Sequence, residues 1–333
     1  MKIAVVGATG LVGSVIIQVL EEGRYLPPSE ISGFIPVASA ASAGKKLKFN
    51  GNEYEVLGME QAINLKPDVA IFSAGAKTSE TWAPVFAEAG ITVIDNSSAW
   101  RMFDNIPLVV PEINAHTIKP DTRIIANPNC STMQLVVVAG PLHFKYGIKR
   151  MVVSTYQAVT GSGIKGVQQL ENERKGIEYE SFYPHRIDLN LIPQGGAFLD
   201  NAYTAEEMKL LNETRKILNN QDIMLTSTVV RVPVYGGHSM AVNIEFAKEY
   251  NFDEVREIIR NTSGVVVQDN PERSHYPMPV NAEGRDEVFV GRIRRDISHL
   301  HALDLWIVAD NLRKGAATNA VQIAAHLHKL KQK

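Results

Sequence analysis

The chain opens on a short apolar run, Lys2 to Val6, that gives way to Gly7-Ala8-Thr9-Gly10-Leu11-Val12-Gly13. Beyond it Val12, Val15, Ile16 and Val19 recur at helical spacing, so the opening reads as strand, glycine turn, helix. A second strand is expected within Ile31 to Val37. Val69 to Phe72 running into Ser73-Ala74-Gly75, a helix around Thr81 to Ala89, and Thr92 to Asp95 continue the alternation. Strands alternating with helices in this way build a parallel, doubly wound sheet, an α/β fold. Ligands of such sheets sit beyond the carboxyl ends of the strands. Those ends are Gly7 to Gly10, Ser39, Ser73 to Gly75, Asn96 to Ser98 and the segment Asn127-Pro128-Asn129-Cys130-Ser131-Thr132.

After Gly147 the pattern changes. Met151 to Val159 reads as a long strand, Met240 to Phe246 alternates apolar with more polar residues, and Leu303 to Val308 is another strand. Alternation of this kind predicts an antiparallel sheet with one face on a helical layer or a partner subunit. Ala205 to Leu218 reads as an amphipathic helix. The last helix, about Ala316 to Leu330, carries Ala320, Ile323, Leu327 and Leu330 on one stripe, and is expected to return to the first domain.

The glycine turn narrows the first domain's ligand. Gly7 permits a tight turn, Gly10 lets backbone approach a pyrophosphate, Gly13 lets the helix pack on the strand, and the helix N-terminus offers N–H donors to phosphate. The spacing is GxxGxxG, a variation of the nucleotide fingerprint; a glycine turn in any βα unit is the alternative. An NAD enzyme commonly ends its second strand on an acid that holds the ribose hydroxyls. Here Ala38-Ser39-Ala40-Ala41-Ser42-Ala43-Gly44-Lys45-Lys46 contains none. Small hydroxyl residues followed by two lysines leave room for a 2′-phosphate and favour NADP, unless the segment is simply a solvated loop. The domains implied are a dinucleotide-binding domain at 1–127, with a C-terminal helix at 313–333 returning to it, and a mixed α+β domain at 128–312.

Composition excludes more than it selects. At 333 residues, 45% hydrophobic and 21% charged, the chain is ordinary globular protein with room for two cores. A net charge of −2 gives no electrostatic reason to expect nucleic acid or an acidic membrane. No apolar run approaches the ~20 residues of a membrane span, and the first residues go directly into a strand, so neither a span nor a signal peptide is expected. One cysteine makes no internal disulfide, and no cysteine–histidine cluster has zinc spacing, so no metal is expected and the setting fits a cytoplasm.

That cysteine, Cys130, is the candidate nucleophile. Ile124 to Ala126 ends a strand, and Met133 to Ala139, ahead of Pro141, is apolar on every side as a buried helix would be. A thiol at a helix N-terminus faces free N–H groups and the positive end of the macrodipole, which favour thiolate; a small buried hydrophobe is the alternative. Thiolate chemistry on a carbonyl also needs a proton donor and acceptor, an oxyanion site and a substrate grip. His238, in Arg231-Val232-Pro233-Val234-Tyr235-Gly236-Gly237-His238-Ser239, follows a strand and two glycines and is expected on a loop facing a cleft, as an acid/base or as a turn residue. Gln157, an amide inside an apolar strand, needs a partner, either substrate or neighbouring backbone. Arg101 and Arg231 are candidate forks for phosphate or carboxylate. Glu206 and Lys209, three apart on a helix, point the same way, as substrate ligands or as a surface ion pair.

These residues together resemble the bacterial aspartate-semialdehyde dehydrogenases. The resemblance is carried by GATGLVG from Gly7, IDNSSAWRM (Ile94 to Met102), PLVVPEIN (Pro107 to Asn114), ANPNCST (Ala126 to Thr132), STYQAVTG (Ser154 to Gly161), RVPVYGGHS (Arg231 to Ser239), VFVGRIRRD (Val288 to Asp296) and DNLRKGAA (Asp310 to Ala317). It covers nearly the whole length. It implies an N-terminal Rossmann-type sheet and a mixed α+β catalytic and dimerisation domain. The implied reaction is NADPH-dependent reduction of aspartyl 4-phosphate to aspartate 4-semialdehyde with release of phosphate, toward lysine (through diaminopimelate), threonine and methionine. Carried over by motif, Cys130 would form a thioacyl enzyme, His238 would be the acid/base and Gln157 would orient the acyl group. Arg101 and Lys209 would bind phosphate, Arg231 the α-carboxylate and Glu206 the amino group, with Asn129 an oxyanion donor. Gly7, Thr9, Gly10, Leu11, Val12, Ser39, Ser42, Gly75, Thr160, Gly161 and Asn311 would contact the cofactor, and a homodimer or dimer of dimers is implied. Similar members carry an arginine where this chain has Ala41. The related N-acetyl-glutamyl phosphate reductases share the thioacyl logic, but a free amino group beside a carboxylate needs both Glu206 and Arg231. A cysteine hydrolase would leave the glycine turn unexplained, and a catalytically silent NADP sensor would leave Cys130, Gln157 and His238 unexplained.

Overall fold

The computed structural model describes residues 1–332. In chain order its first half carries β1 (Lys2–Val6), α1 (Leu11–Glu22), β2 (Gly33–Val37), β3 (Lys46–Phe49), β4 (Asn52–Glu55), α2 (Met59–Asn64), β5 (Val69–Phe72), α3 (Ala76–Glu88), β6 (Thr92–Asp95), α4 (Pro111–Asn114) and β7 (Ile124–Ala126). There follow α5 (Cys130–Tyr146), β8 (Ile148–Gln157), α6 (Gly163–Lys175), α7 (Ala205–Ile217), β9 (Met224–Arg231), β10 (His238–Phe246), α8 (Phe252–Asn261), β11 (Val265–Val267), α9 (Pro279–Ala282), β12 (Val288–Arg295) and β13 (Ala302–Ala309). A π-helical turn, Arg313–Ala317, leads into α10 (Thr318–Lys331). The chain divides into two compact units, Met1–Asn129 with the chain from Ala316 on, and Cys130–Gly315.

The first unit is built on a five-stranded parallel sheet in the order β2-β1-β5-β6-β7. Side chains alternate across a strand, and β1 uses both faces. Ile3 and Val5 enter a core with Ile16 and Leu20 of α1 and Val321 and Ala324 of α10, while Ala4 and Val6 enter a second core with Ala83 and Phe86 of α3. The sheet is thus wound on both faces, as the alternating pattern predicted. The hairpin β3–β4 was not foreseen, because Lys46-Leu47-Lys48-Phe49 buries only Phe49 and looks like loop.

The second unit carries a six-stranded sheet in the order β11-β12-β13-β10-β8-β9. It is mixed, not antiparallel: β8 pairs in parallel with β9, and β11 with β12. Those two pairs are joined by long connections rather than hairpins, and a long connection lets the chain return in the same direction. Helix α5 packs on β8, β10, β12 and β13, and runs through Pro141 to Tyr146. Complete burial from Ser131 to Gly140 offsets the one hydrogen bond that the proline removes.

Candidate active site

In the first unit the glycine turn is held by contacts that no side chain could share. Gly7 has φ +85°, and a Cβ there would lie 2.4 Å from the Ser73 carbonyl oxygen; a Cβ on Gly13 would lie 2.1 Å from that of Gly7. Gly10 caps α1 with extended backbone and no side-chain cap, so the amides that open the helix at Leu11 and Val12, beside Thr9, receive no side-chain cap among the described residues. Such amides suit a phosphate. Gly75, three residues beyond β5 and at φ +83°, also caps α3 without a side-chain cap. Ser39 precedes and Ser42 ends a 3₁₀ turn at Ala40–Ser42, and Ala41 is exposed. Lys46, by contrast, sits in β3 with its Nζ 3.1 Å from Glu53, a cross-strand partner for the charge expected to face a phosphate.

Beyond β6 and β7, three asparagines link the strand ends to α10. Asn96 Nδ2 donates to the Phe72 carbonyl (2.9 Å), Asn127 Nδ2 to Asn96 Oδ1 (2.6 Å), and Asn319 Nδ2 to Asn127 Oδ1 (2.6 Å). Arg101 is buried against this chain, with Nε donating to the Asn127 carbonyl (2.9 Å) and Nη2 to that of Asn96 (2.8 Å). The candidate phosphate ligand therefore stands at the carboxyl edge of the sheet. Asn129, also buried, closes the segment that leads to Cys130.

In the second unit the strand register gathers the candidate side chains. Gln157 ends β8 opposite Arg231, which ends β9, and His238 begins β10 opposite Ala309, the last residue of β13. His238 is therefore not on a loop: the strand starts at it and buries it completely. Its Nδ1 accepts the Ala158 N–H at 3.1 Å, so the neutral ring carries its proton on Nε2. Burial, and then the Arg231 guanidinium, hold the imidazole well below its ordinary range, which keeps it neutral near pH 7. Nε2 has no hydrogen-bond partner among the described residues. Gly161 lies over it; a Cβ there would be 2.9 Å from both His238 Nε2 and Arg231 Nη1.

Cys130 is a half-buried thiol, not in a disulfide, in the first turn of α5. A Cβ on Gly315 would come within 2.8 Å of Cys130 Cβ, so the DNLRKGAA glycine is there for close approach to the thiol residue. Gln157 Nε2 donates to Ser131 Oγ, next in sequence to Cys130, at 2.9 Å, and leaves Gln157 Oε1 buried with no partner among the described residues. Ser131, Gly315 and the Ala158 amide went unnoticed in the sequence: nothing in their spacing marks them, although each lies in or beside a quoted motif. Thr160 and Asn311 meet here too, with Asn311 Nδ2 donating to Thr160 Oγ1 (3.0 Å) and its Oδ1 accepting the Gly237 N–H (3.2 Å).

Arg231 and Glu206 line one cavity of about 370 Å³, together with Gly161, Tyr183, Ile192 and Gln194. Arg231 Nη1 donates to the Ala158 carbonyl at 2.9 Å, and its Nε has no partner among the described residues. A cation and an anion facing one small cavity match the two charges of an amino acid. Lys209 stands one helical turn beyond Glu206, half-buried on α7. Among the described residues no three His, Cys, Asp or Glu side chains gather as metal ligands.

The chain as a whole is matched by known proteins. The family model described as the NAD-binding domain of semialdehyde dehydrogenase matches residues 2–120, and that of the semialdehyde dehydrogenase dimerisation domain residues 140–314. Aspartate-semialdehyde dehydrogenase of Aquifex aeolicus is 50% identical over 337 residues, covering 98% of each chain. The chain belongs to the aspartate-semialdehyde dehydrogenase family. The Legionella pneumophila aspartate-semialdehyde dehydrogenase is 45% identical, covering 99% of this chain and 96% of that one. Among solved structures, aspartate-semialdehyde dehydrogenase II of Vibrio cholerae superposes with a TM-score of 0.93 at 43% identity, covering 98% of each chain. The same enzyme complexed with ASA gives 0.93 at 42%. The Candida albicans enzyme with NADP gives 0.76 at 26% identity, with 98% of each chain covered.

Proposed function

We propose that this protein reduces L-aspartyl 4-phosphate to L-aspartate 4-semialdehyde through a thioacyl intermediate on Cys130, with NADPH as reductant, in the cytoplasmic route to lysine, threonine and methionine. The observation that carries this reading is the common edge formed by Gln157, Arg231 and His238 on neighbouring strands. The Cys130 thiolate attacks the acyl carbon, the C–O bond to phosphate breaks, and phosphate leaves with that electron pair. Arg101 and Lys209 hold the phosphate, Arg231 the α-carboxylate, and Glu206 the amino group. Gln157, docked on Ser131, orients the acyl oxygen beside the amides of Asn129 and Cys130. His238 Nε2–H donates a hydrogen bond to the developing oxygen charge, while Nδ1 goes on accepting the Ala158 N–H. A nicotinamide held near Thr160, Gly161 and Asn311 would supply the hydride for the thioester carbon; breaking the C–S bond returns its electron pair to the Cys130 sulfur as the aldehyde leaves.

For the cofactor, the Gly7 and Gly13 contacts and the uncapped α1 amides fit a dinucleotide pyrophosphate. Thr160, Gly161 and Asn311 are assigned to the nicotinamide end. NADP is preferred over NAD because no acid ends β2. In the second unit, the sheet face bearing Tyr156, Ala241 and Trp306 is assigned to a homodimer interface, with a dimer of dimers as the higher assembly. Arg231→Lys tests the substrate grip, since a point charge replaces a two-bond fork. We expect kcat/KM for aspartate semialdehyde to fall at least tenfold; an unchanged value would move the carboxylate site elsewhere.

A further inference from the structure

The cavity that holds Arg231 and Glu206 is walled on one side by Phe182, Tyr183 and Pro184. These belong to the stretch between α6 and α7, which has no helix or strand of its own. Connections of that length inside a compact domain are uncommon and usually functional. The backbone amides of this wall therefore need partners from elsewhere.

Two side chains one turn apart on α6 supply them. Gln169 Oε1 accepts the N–H groups of both Phe182 and Tyr183, each at 2.8 Å. Glu173 Oε2 accepts those of Ile187 (2.9 Å) and Asp188 (2.7 Å). The two lock each other, Gln169 Nε2 donating to Glu173 Oε1 at 2.7 Å, and Tyr179 Oη adds a second donor to the same oxygen at 2.6 Å. Burial would raise the Glu173 carboxyl, but the hydrogen bonds from Asp188, Tyr179, Gln169 and Ile187 outweigh it and hold it below its ordinary range. At its far end the stretch pairs with the functional strand itself: Ile192 and Arg231 exchange backbone hydrogen bonds at 3.0 and 2.7 Å. Tyr183 is thereby packed among Val159, Leu170, Ile187 and Ile192.

We propose that Gln169 and Glu173 are positioning residues for substrate recognition: by carrying the backbone from Phe182 to Asp188 they set the wall against which Arg231 and Glu206 hold the amino-acid end of the substrate. This rests on the function proposed above. Loosening the clamp lets the wall drift from the charged pair, and displacements of about 1 Å at a substrate grip are costly. The loss falls on the amino-acid end alone, because phosphate and cofactor are held by other residues.

The test uses the full-length enzyme in the phosphorylating direction, with aspartate semialdehyde, phosphate and NADP varied in turn. The wild-type rate by itself settles the underlying reading. Glu173→Gln keeps the shape but turns an acceptor oxygen into an amide donor facing backbone N–H groups. It should raise KM for aspartate semialdehyde about tenfold, leave KM for phosphate and NADP unchanged, and keep kcat within about threefold. Tyr179→Phe removes one bond at the outer edge of the clamp and should raise the same KM by about threefold, which decides the matter if the first variant fails to fold. An unchanged aspartate-semialdehyde KM in the variants that fold, or a parallel rise in all three KM values, would overturn the proposal.

Discussion

The two units handle polar chemistry in opposite ways. In the first, the candidate nucleotide site is backbone: glycines at 7 and 13 sit where a Cβ would meet carbonyl oxygens at 2.4 and 2.1 Å, and helix amides are left without side-chain caps. In the second, the candidate site is side chains driven into the interior, with Gln157 Oε1, Arg231 Nε and His238 Nε2 all buried and without partners among the described residues. Buried orphan polar atoms cost free energy, whereas open amides at a solvated helix end do not. The first unit can therefore bind through open backbone amides, and the second through buried side-chain atoms that a substrate would partner.

That contrast predicts where substitutions hurt. The largest effect short of removing the nucleophile is expected at His238. Asn retains shape and some hydrogen bonding but no longer holds an Nε2–H against the developing oxygen charge, so kcat should drop by ~10² to 10³ with little change in KM. A variant as fast as wild type would make His238 a buried structural residue. The same ring also shapes acid stability. Its folded pKa lies well below the unfolded value near 6.5, so the unfolded state takes up a proton first as pH falls. Its share of stability is complete above about pH 6.5 and declines as pH drops below that through the depressed folded value. Wild type should lose melting temperature over that acid range more steeply than His238→Asn; equal slopes would mean that the ring is not buried neutral.

A middle-sized effect is expected in the first unit. Gly13→Ala drives a methyl into the Gly7 carbonyl, and overpacking of this kind costs ~1 to 3 kcal/mol. Melting temperature and cofactor Kd should both worsen, while the thiol's reactivity toward an alkylating reagent should not. An unaltered Kd would show that the turn does not cradle the dinucleotide.

The smallest effect concerns the 2′-phosphate. Ala41 supplies no charge in the turn that follows β2, and β2 ends on no acid that would hold NAD instead. We expect NADP use with measurable NAD activity. Ala41→Arg should sharpen the NADP preference about tenfold, the worth of one charge-assisted hydrogen bond of ~1.5 kcal/mol. A ratio that does not move would place the 2′-phosphate away from the Ala40–Ser42 turn.

Much of this was legible because it depends on local pattern. The alternation of strands and helices, the glycine turn and the amphipathic α7 follow from periodicities that a few residues express. What was not legible depends on pairing. The parallel partners of β8 and β12, and the burial of His238 by a strand that begins at that very residue, are set by neighbours far along the chain. Gln169 and Glu173 escaped notice for a different reason. Polar residues four apart on a helix read as a solvated face, and only the fold shows that a loop's amides take the place of water.

The central claim is that the substrate is carried on Cys130. Mixing the enzyme with aspartate semialdehyde and NADP in the absence of phosphate, then quenching in acid and mapping peptides by mass spectrometry, reads it directly. The account predicts an aspartyl adduct confined to the peptide bearing Cys130, discharged when phosphate is added, and absent from a Cys130→Ser variant that still binds cofactor but has lost nearly all turnover. Sustained turnover by the serine variant, or an adduct on another residue, would contradict it.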